Sequence, residues 1–371
     1  MLKRKIEQTL SEWKNTANRK PLIVKGCRQC GKTFSVLDFA HKNYKNVVYL
    51  NFFENPDYAS VFAGSLEIDH IVMMLTALLG SAAVFEAGKT VLVLDEIQDC
   101  PEARTALKFF RIDGRYDVIG TGSLLGVKGY GKEPKSIPVG FETVVDMYPL
   151  DFEEFLWANG ITDGIIDMLK KSMDTESPVP EPLHNRMRQL LLQYTVVGGM
   201  PDAVQTFVDT KQMDEVLKIQ RDIVRSYEDD MVKYAERKDK SKIKECFQSI
   251  PKQLSKENKK FQYSVVKKGS TASKYAGSLQ WIEDAGIISR CYNLSSTELP
   301  LDGNAEKDCF KVYMRDCGLF VSMLEDGTQY DILQGNLRGY KGAIFENLIA
   351  DIFAKRGCGQ KVGFPKGSER S

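Results

Sequence analysis

The stretch Gly26-Cys-Arg-Gln-Cys-Gly-Lys-Thr33 constrains the fold more than any other part of the chain. It fits G-x-x-x-x-G-K-[ST], and such a loop works in one setting. It must leave a buried strand and open a helix, so that backbone N–H groups and the helix N-terminus converge on one anion. The flanks supply that setting. Lys20-Pro-Leu-Ile-Val-Lys-Gly26 reads as a short buried strand, and Lys32–His41 as a helix with Phe34, Leu37 and Phe39/Ala40 on its apolar face. Gly26 and Gly31 leave room for wrapped backbone. Lys32 is placed to reach the β- and γ-phosphates of a nucleoside triphosphate, and the Thr33 hydroxyl to take one Mg²⁺ position. The expected binding loop is therefore Gly26, Cys27, Arg28, Gln29, Cys30, Gly31, Lys32, Thr33 and Phe34.

The next hundred or so residues keep alternating strand and helix patterns. Strands are expected at Asn46–Phe53, at the apolar run Thr90-Val-Leu-Val-Leu-Asp95, at Tyr116–Thr121 and at Glu142–Met147; helices at Tyr58–Val84 and Glu102–Arg111. That alternation predicts a parallel sheet with helices on both faces, an α/β P-loop fold. Asp95 ends a buried strand, where a lone carboxylate is expensive unless a cation offsets it. Thr33 and Asp95 are thus the expected Mg²⁺ ligands, and Glu96 is placed to accept a proton from an attacking water. Thr121-Gly-Ser123 closes a later strand, and Ser123 is preferred over Thr121 as the γ-phosphate sensor of additional-strand NTPases. The competing readings are a solvated acidic turn for Asp95-Glu96 and plain turn capping for Thr121 and Ser123. No Arg lies between Ser123 and Phe141, only Lys128, Lys132 and Lys135, while Arg111 and Arg115 precede the sensor strand. Without an assignable arginine finger, intrinsic turnover should be slow, below the order of 1 s⁻¹.

Composition excludes other classes. A chain of 371 residues predicts two or three domains; 43% hydrophobic and 27% charged residues with a net charge of +1 are ordinary for a soluble protein. No apolar run approaches the roughly 20 residues of a membrane span, and the N-terminus lacks a signal-peptide core, so a cytoplasmic location is expected. Eight cysteines are too sparse for a disulfide scaffold. Cys27 and Cys30 form a C-x-x-C, but inside the phosphate loop and with no second Cys or His pair nearby, so they read as small residues at variable loop positions. A thiol that blocks nucleotide when oxidised is the alternative. His41, His70 and His184 are too far apart to suggest a metal site.

From Leu150 the pattern turns helical: Phe152–Ala158, Ile165–Lys171, Pro182–Thr195, Asp202–Phe207 and Lys211–Tyr234, then Lys242–Leu254 and Ser273–Ala285 ahead of a strand over Gly286–Leu294. Helix, helix, wing is the order of a winged helix-turn-helix. Residues 233–274 hold thirteen Lys/Arg against four Asp/Glu, with the aromatics Tyr263 and Tyr275 beside them. Such clustering could contact duplex DNA or merely be solvated; undetectable or salt-insensitive binding would end the DNA reading. A strand at Phe310–Met314, a turn at Asp316-Cys-Gly318 and a helix at Ala343–Ala354 follow, and 355–371 is expected to be disordered.

These residues together resemble prokaryotic AAA-family ATPases with an appended C-terminal domain of unknown function. The resemblance rests on Gly26–Thr33, Leu94-Asp-Glu-Ile-Gln98, Thr121-Gly-Ser-Leu-Leu125 and Met147-Tyr-Pro-Leu-Asp-Phe-Glu-Glu-Phe-Leu156. It continues through Gly198-Gly-Met-Pro201, Asp222-Ile-Val-Arg225, Ile250–Phe261, Asp316-Cys-Gly-Leu319 and Gly342-Ala-Ile-Phe-Glu-Asn347. It implies an ATP-binding, ATP-hydrolysing AAA core over 1–150, a helical lid over 151–235, a winged helix over 236–300 and a partial nuclease-like α+β region over 301–354. It also implies that Pro201 touches the adenine base. The resemblance breaks at Phe141, where the family has Arg. It breaks again after Glu346, where the family's further carboxylate and lysine groups do not follow; Glu346 alone cannot hold a nuclease metal, so a truncated end without nuclease activity is expected.

Overall fold

The computed structural model describes residues 2–123, 140–234, 239–256, 260–336 and 341–356. The chain divides into two compact units, one over Arg4–Tyr148 and one taking in the chain from Pro149 onward.

In the first unit, α1 (Ile6–Asn15) precedes β1 (Leu22–Gly26), α2 (Lys32–Asn43) and β2 (Asn46–Asn51). A 3₁₀ helix at Pro56–Phe62 and α3 (Ile68–Leu79) follow, then β3 (Thr90–Asp95), α4 (Pro101–Asp113), β4 (Asp117–Ser123) and β5 (Thr143–Met147). The five strands are parallel in the order β2-β3-β4-β1-β5. Strand β4 is therefore inserted between the strand that feeds the phosphate loop and the strand that ends in Asp95. All six residues of β3 are buried. Period-two alternation sends Leu92 and Leu94 into one core with α3 and α4, and Val91 and Val93 into the other with α1 and α2.

Two expectations need correction here. The segment Tyr58–Val84 is not one helix: a 3₁₀ helix ends at Phe62 and α3 starts afresh at Ile68. Phe34 is not on the apolar face of α2 but 59% exposed. Val36, Phe39 and Ala40 make that face, and at 100° per residue position 34 points away from position 36.

The second unit runs through α5 (Phe152–Ala158), α6 (Asp163–Asp174), α7 (Glu181–Val197), α8 (Pro201–Thr210), α9 (Met213–Tyr234), α10 (Lys240–Leu254), the short α11 (Tyr263–Val266) and α12 (Ala272–Asp284). Next come β6 (Ile288–Leu294), β7 (Ala305–Met314), α13 (Cys317–Ser322), α14 (Thr328–Gln334) and α15 (Lys341–Lys355). Strands β6 and β7 pair antiparallel, so the strands on either side of the expected boundary at 300 form one hairpin. Helices α13 and α14 had no counterpart in the sequence pattern beyond a turn, because each is only one or two turns long. The expected disordered tail also begins too early: Lys355 is helical, with a side chain 2% exposed.

Motifs that looked functional turn out to interlock this unit. A Cβ on Gly199 would lie 2.0 Å from Leu150 O, one on Gly198 2.2 Å from Asp316 Oδ1, and one on Gly318 2.4 Å from Val197 O. Leu150 N donates to Gly199 O (2.7 Å), and Gly199 N to Asp316 Oδ2 (2.7 Å). Asn347, fully buried, brackets Met314 by accepting from its N (2.8 Å) and donating to its O (3.2 Å).

Candidate nucleotide site

The phosphate loop spans the end of β1 and the start of α2. Gln29 (φ 62°) and Gly31 (φ 91°) carry the left-handed turns that wrap it; Gly31 adopts this freely, Gln29 at some cost. Gly26 also answers to packing within the sheet. A Cβ there would meet Met147 O at 2.3 Å, so its missing side chain makes room for the end of β5. Arg28 and Gln29 are exposed, Cys27 and Cys30 buried. Arg4 braces the loop by donating to Cys30 O (3.0 Å) and to Tyr148 O (2.7 Å). The buried Lys32 ammonium donates to Cys27 O (2.9 Å) and Gly26 O (3.3 Å), held inside the loop it is expected to serve.

The Cys30 thiol is drawn down to about 6, first by a hydrogen bond from Cys27, with Lys32 and Arg4 adding positive charge against the opposing effect of burial. Neither cysteine is in a disulfide.

Asp95, 3% exposed, is the centre of the site. Thr33 Oγ1 lies 3.0 and 3.1 Å from its two oxygens. Tyr49 OH donates to Oδ2 (2.9 Å), as does Asn51 Nδ2 (3.2 Å); Thr121 Oγ1 and the Glu96 N–H (3.2 Å) donate to Oδ1. Every one of these donors is neutral. The carboxylate is thus solvated without being neutralised, and an alcohol beside a carboxylate is the oxygen-only set that suits Mg²⁺.

Thr121 is fully buried and tied to Asp95, whereas Ser123 stands in register with Gly26 at the mouth of the loop. Glu96 has a left-handed backbone (φ 52°) and accepts a hydrogen bond from Gln98 Nε2. Phe34 begins the exposed side of α2. Pro201 belongs to the second unit, where it is the first residue of α8, a position that suits proline because its missing N–H would have no helical partner.

Sequence reasoning passed over Arg4, Tyr49, Asn51 and Gln98. The signal for two of them was present: Tyr49 and Asn51 are polar residues at i and i+2 at the end of an otherwise apolar strand, and Asn51 pairs in register with Asp95. Arg4 had none, because its partners lie 26 and 144 residues away.

Elsewhere, lysines of the basic stretch have acidic partners: Lys242 with Asp239 (2.9 Å), Lys244 with Glu228 (3.0 Å) and Lys267 with Glu245 (2.8 Å). Its residues 235–238 and 257–259, and Lys128, Lys132 and Lys135, lie outside the described residues. Glu346 accepts from Lys311 (2.7 Å) and Tyr313 OH (2.6 Å). No helix among the described residues is long and apolar enough to cross a membrane.

A five-stranded parallel sheet with a strand inserted between the loop strand and the Asp95 strand is consistent with a P-loop NTPase fold. More narrowly, residues 18–156 match the model of an AAA domain, and residues 188–330 match that of a domain of unknown function. Among solved structures the chain is similar to a Walker-type ATPase of Pyrococcus abyssi, at 12% identity and a TM-score of 0.50, over 87% of this chain and 96% of that one. Weaker likenesses are to Orc1 of Aeropyrum pernix in complex with DNA (14% identity, TM-score 0.35, 96% of this chain and 94% of that one) and to AMPPCP-bound DnaA of Aquifex aeolicus (11%, 0.31, 75% and 87%). At those two scores the likeness supports nothing further. No curated protein matches the chain.

Proposed function

We propose that the first unit binds ATP with Mg²⁺ and hydrolyses it slowly, as a conformational switch. The observation that carries this reading is the Thr33–Asp95 contact at 3.0 Å inside a ring of neutral donors. Thr33 and Asp95 would hold the Mg²⁺, whose charge offsets that of the phosphate oxygens. Lys32 exchanges its two loop carbonyls for β- and γ-phosphate oxygens, which as anions are the stronger acceptors. The N-terminus of α2 adds its partial positive charge. Glu96 takes the proton of the attacking water, and Ser123, in register with Gly26, orients the γ-phosphate. Pro201 as a contact for the adenine rests on the family resemblance alone. Seven described cysteines, none of them in a disulfide, support a cytoplasmic setting.

Glu96→Gln tests the proposal. Hydrolysis should fall by about 10²–10⁴, the usual contribution of a general base, while ATP affinity survives. A parent protein that binds ATP with no turnover would instead favour a nucleotide-gated DNA- or protein-binding module with negligible catalysis.

A further inference from the structure

We infer that Arg4 is a positioning residue for the nucleotide phosphates: by holding the Cys30 carbonyl it aims the Gly31 N–H into the phosphate loop. The inference rests on the nucleotide reading of that loop and gives a task to a residue outside it.

Arg4 is 8% exposed and stands just ahead of α1. Its backbone is fixed there. Glu7 N donates to Arg4 O (3.2 Å), and Ile6, Leu10 and Trp13 of α1 share a core with Cys27, Cys30 and Val36. The planar guanidinium presents its N–H donors as a rigid fork. One arm reaches Cys30 O (3.0 Å) and the other Tyr148 O (2.7 Å), on the residue that follows β5. The Cys30 thiol also lies against the end of β5, 3.6 Å from Met147 O.

A trans peptide unit is planar, so its C=O and N–H point in opposite directions. The unit that carries Cys30 O also carries the Gly31 N–H. With the carbonyl tied to Arg4 at the end of β5, the N–H faces the other way, toward the interior of the loop. Gly31 does not enforce this by itself. At φ 91° it is a residue that accepts the mirror conformation about as readily, so the peptide can turn over at little cost to its own backbone. Turned over, the unit would present an oxygen to an anion. The Arg4 fork selects between the two orientations. Gly31 is also the N-cap of α2 and has no side-chain cap. The N–H groups at such a helix start lack helical acceptors, and phosphate oxygens suit them. Arg4 thus presents the loop to phosphate already oriented, which removes the cost of reorienting it on binding.

The Gly31 amide is the readout, in the full chain. It belongs to one of three Cys-Gly peptides, which paired labelling of Cys carbonyl carbon and Gly nitrogen isolates in an NMR spectrum. In the parent, Mg²⁺·ADP should move its proton strongly downfield, as a charge-assisted bond to phosphate requires. Arg4→Met keeps an apolar stem and removes the fork. Kd for Mg²⁺·ADP should rise about 10- to 100-fold, and the Gly31 amide should lose most of that shift at saturation. A brace that only supports the fold would weaken binding without touching the saturated resonance. Arg4→Lys keeps a cation that reaches one carbonyl at a time, so Kd should rise about 2- to 10-fold. It carries the test should Arg4→Met fail to fold. Parental affinity in the variant measured, or weaker binding with the parental shift at saturation, overturns the inference and leaves the nucleotide reading standing. A parent that does not bind Mg²⁺·ADP sinks both.

Discussion

Two buried carboxylates, one in each unit, are handled in opposite ways. Asp95 is surrounded by hydroxyls, an amide and a backbone N–H, none of them charged. Asp351 faces a cation supplied by the chain: Lys355 Nζ donates to its Oδ2 (2.9 Å), to Leu150 O (3.1 Å) and to Tyr194 OH (3.0 Å), and lies 3.9 Å from Asp316. All three charged side chains of that second cluster are at most 4% exposed. Neutral donors stabilise a carboxylate and leave its charge free for an incoming cation. A lysine consumes that charge, leaving a fastener between α15, α13, α7 and the Pro149 linker with nothing to offer a ligand. The contrast separates a carboxylate held by neutral donors from one held by a lysine.

Lys355→Met breaks the contrast at its strongest point. Removing one member of a buried ion pair leaves carboxylates without a counter-charge, and the second unit should lose about 3–5 kcal/mol. Denaturant titration followed by hydrogen exchange in α13 and α15 checks this; a variant as stable as the parent would show the cluster is not a fastener. Asp95→Asn should do the reverse. It removes the charge but keeps an acceptor, so the fold should survive while Mg²⁺-dependent ATP affinity drops about 10- to 100-fold, the scale of one charge-assisted contact. A titration of the variant with ATP, with and without Mg²⁺, gives the answer, and equal affinity in the two conditions for the parent would remove the metal from the account.

The smallest effect concerns pH. Burial, the largest influence, raises the Asp351 carboxyl to about 7, with Lys355 pulling the other way. Its folded-state value is therefore above the unfolded one near 3.8, so between those limits the folded state holds the extra proton. Stability of the second unit should accordingly rise as pH falls from 7 towards 5, by up to about 1 kcal/mol per pH unit from this group. Asp351→Asn should flatten that slope; an unchanged slope would assign the dependence elsewhere.

Much of the candidate nucleotide site is proposed from the chain alone because its parts are local. Gly26–Thr33 is a loop whose neighbours in sequence are also its neighbours in space, and Thr90–Asp95 announces a buried central strand by composition alone. The order of the strands, with the Tyr116–Ser123 segment between the loop and Asp95, was legible only as a class expectation. Short-range patterning specifies strands, while their sequence in the sheet depends on which faces bury which helices.

The tertiary structure alone decided what stands around Asp95 and why several glycines are there. Tyr49 comes from 46 residues away, Thr33 from 62 and Thr121 from 26, distances over which no periodicity links donor to acceptor. Gly26 and Gly198 likewise look alike in sequence, yet the first gives way to Met147 and the second to Asp316. A motif records that a residue is needed; whether the need is a phosphate, a strand or a carboxylate 118 positions on is settled by packing, because close approach is a property of folded backbone and not of neighbouring letters.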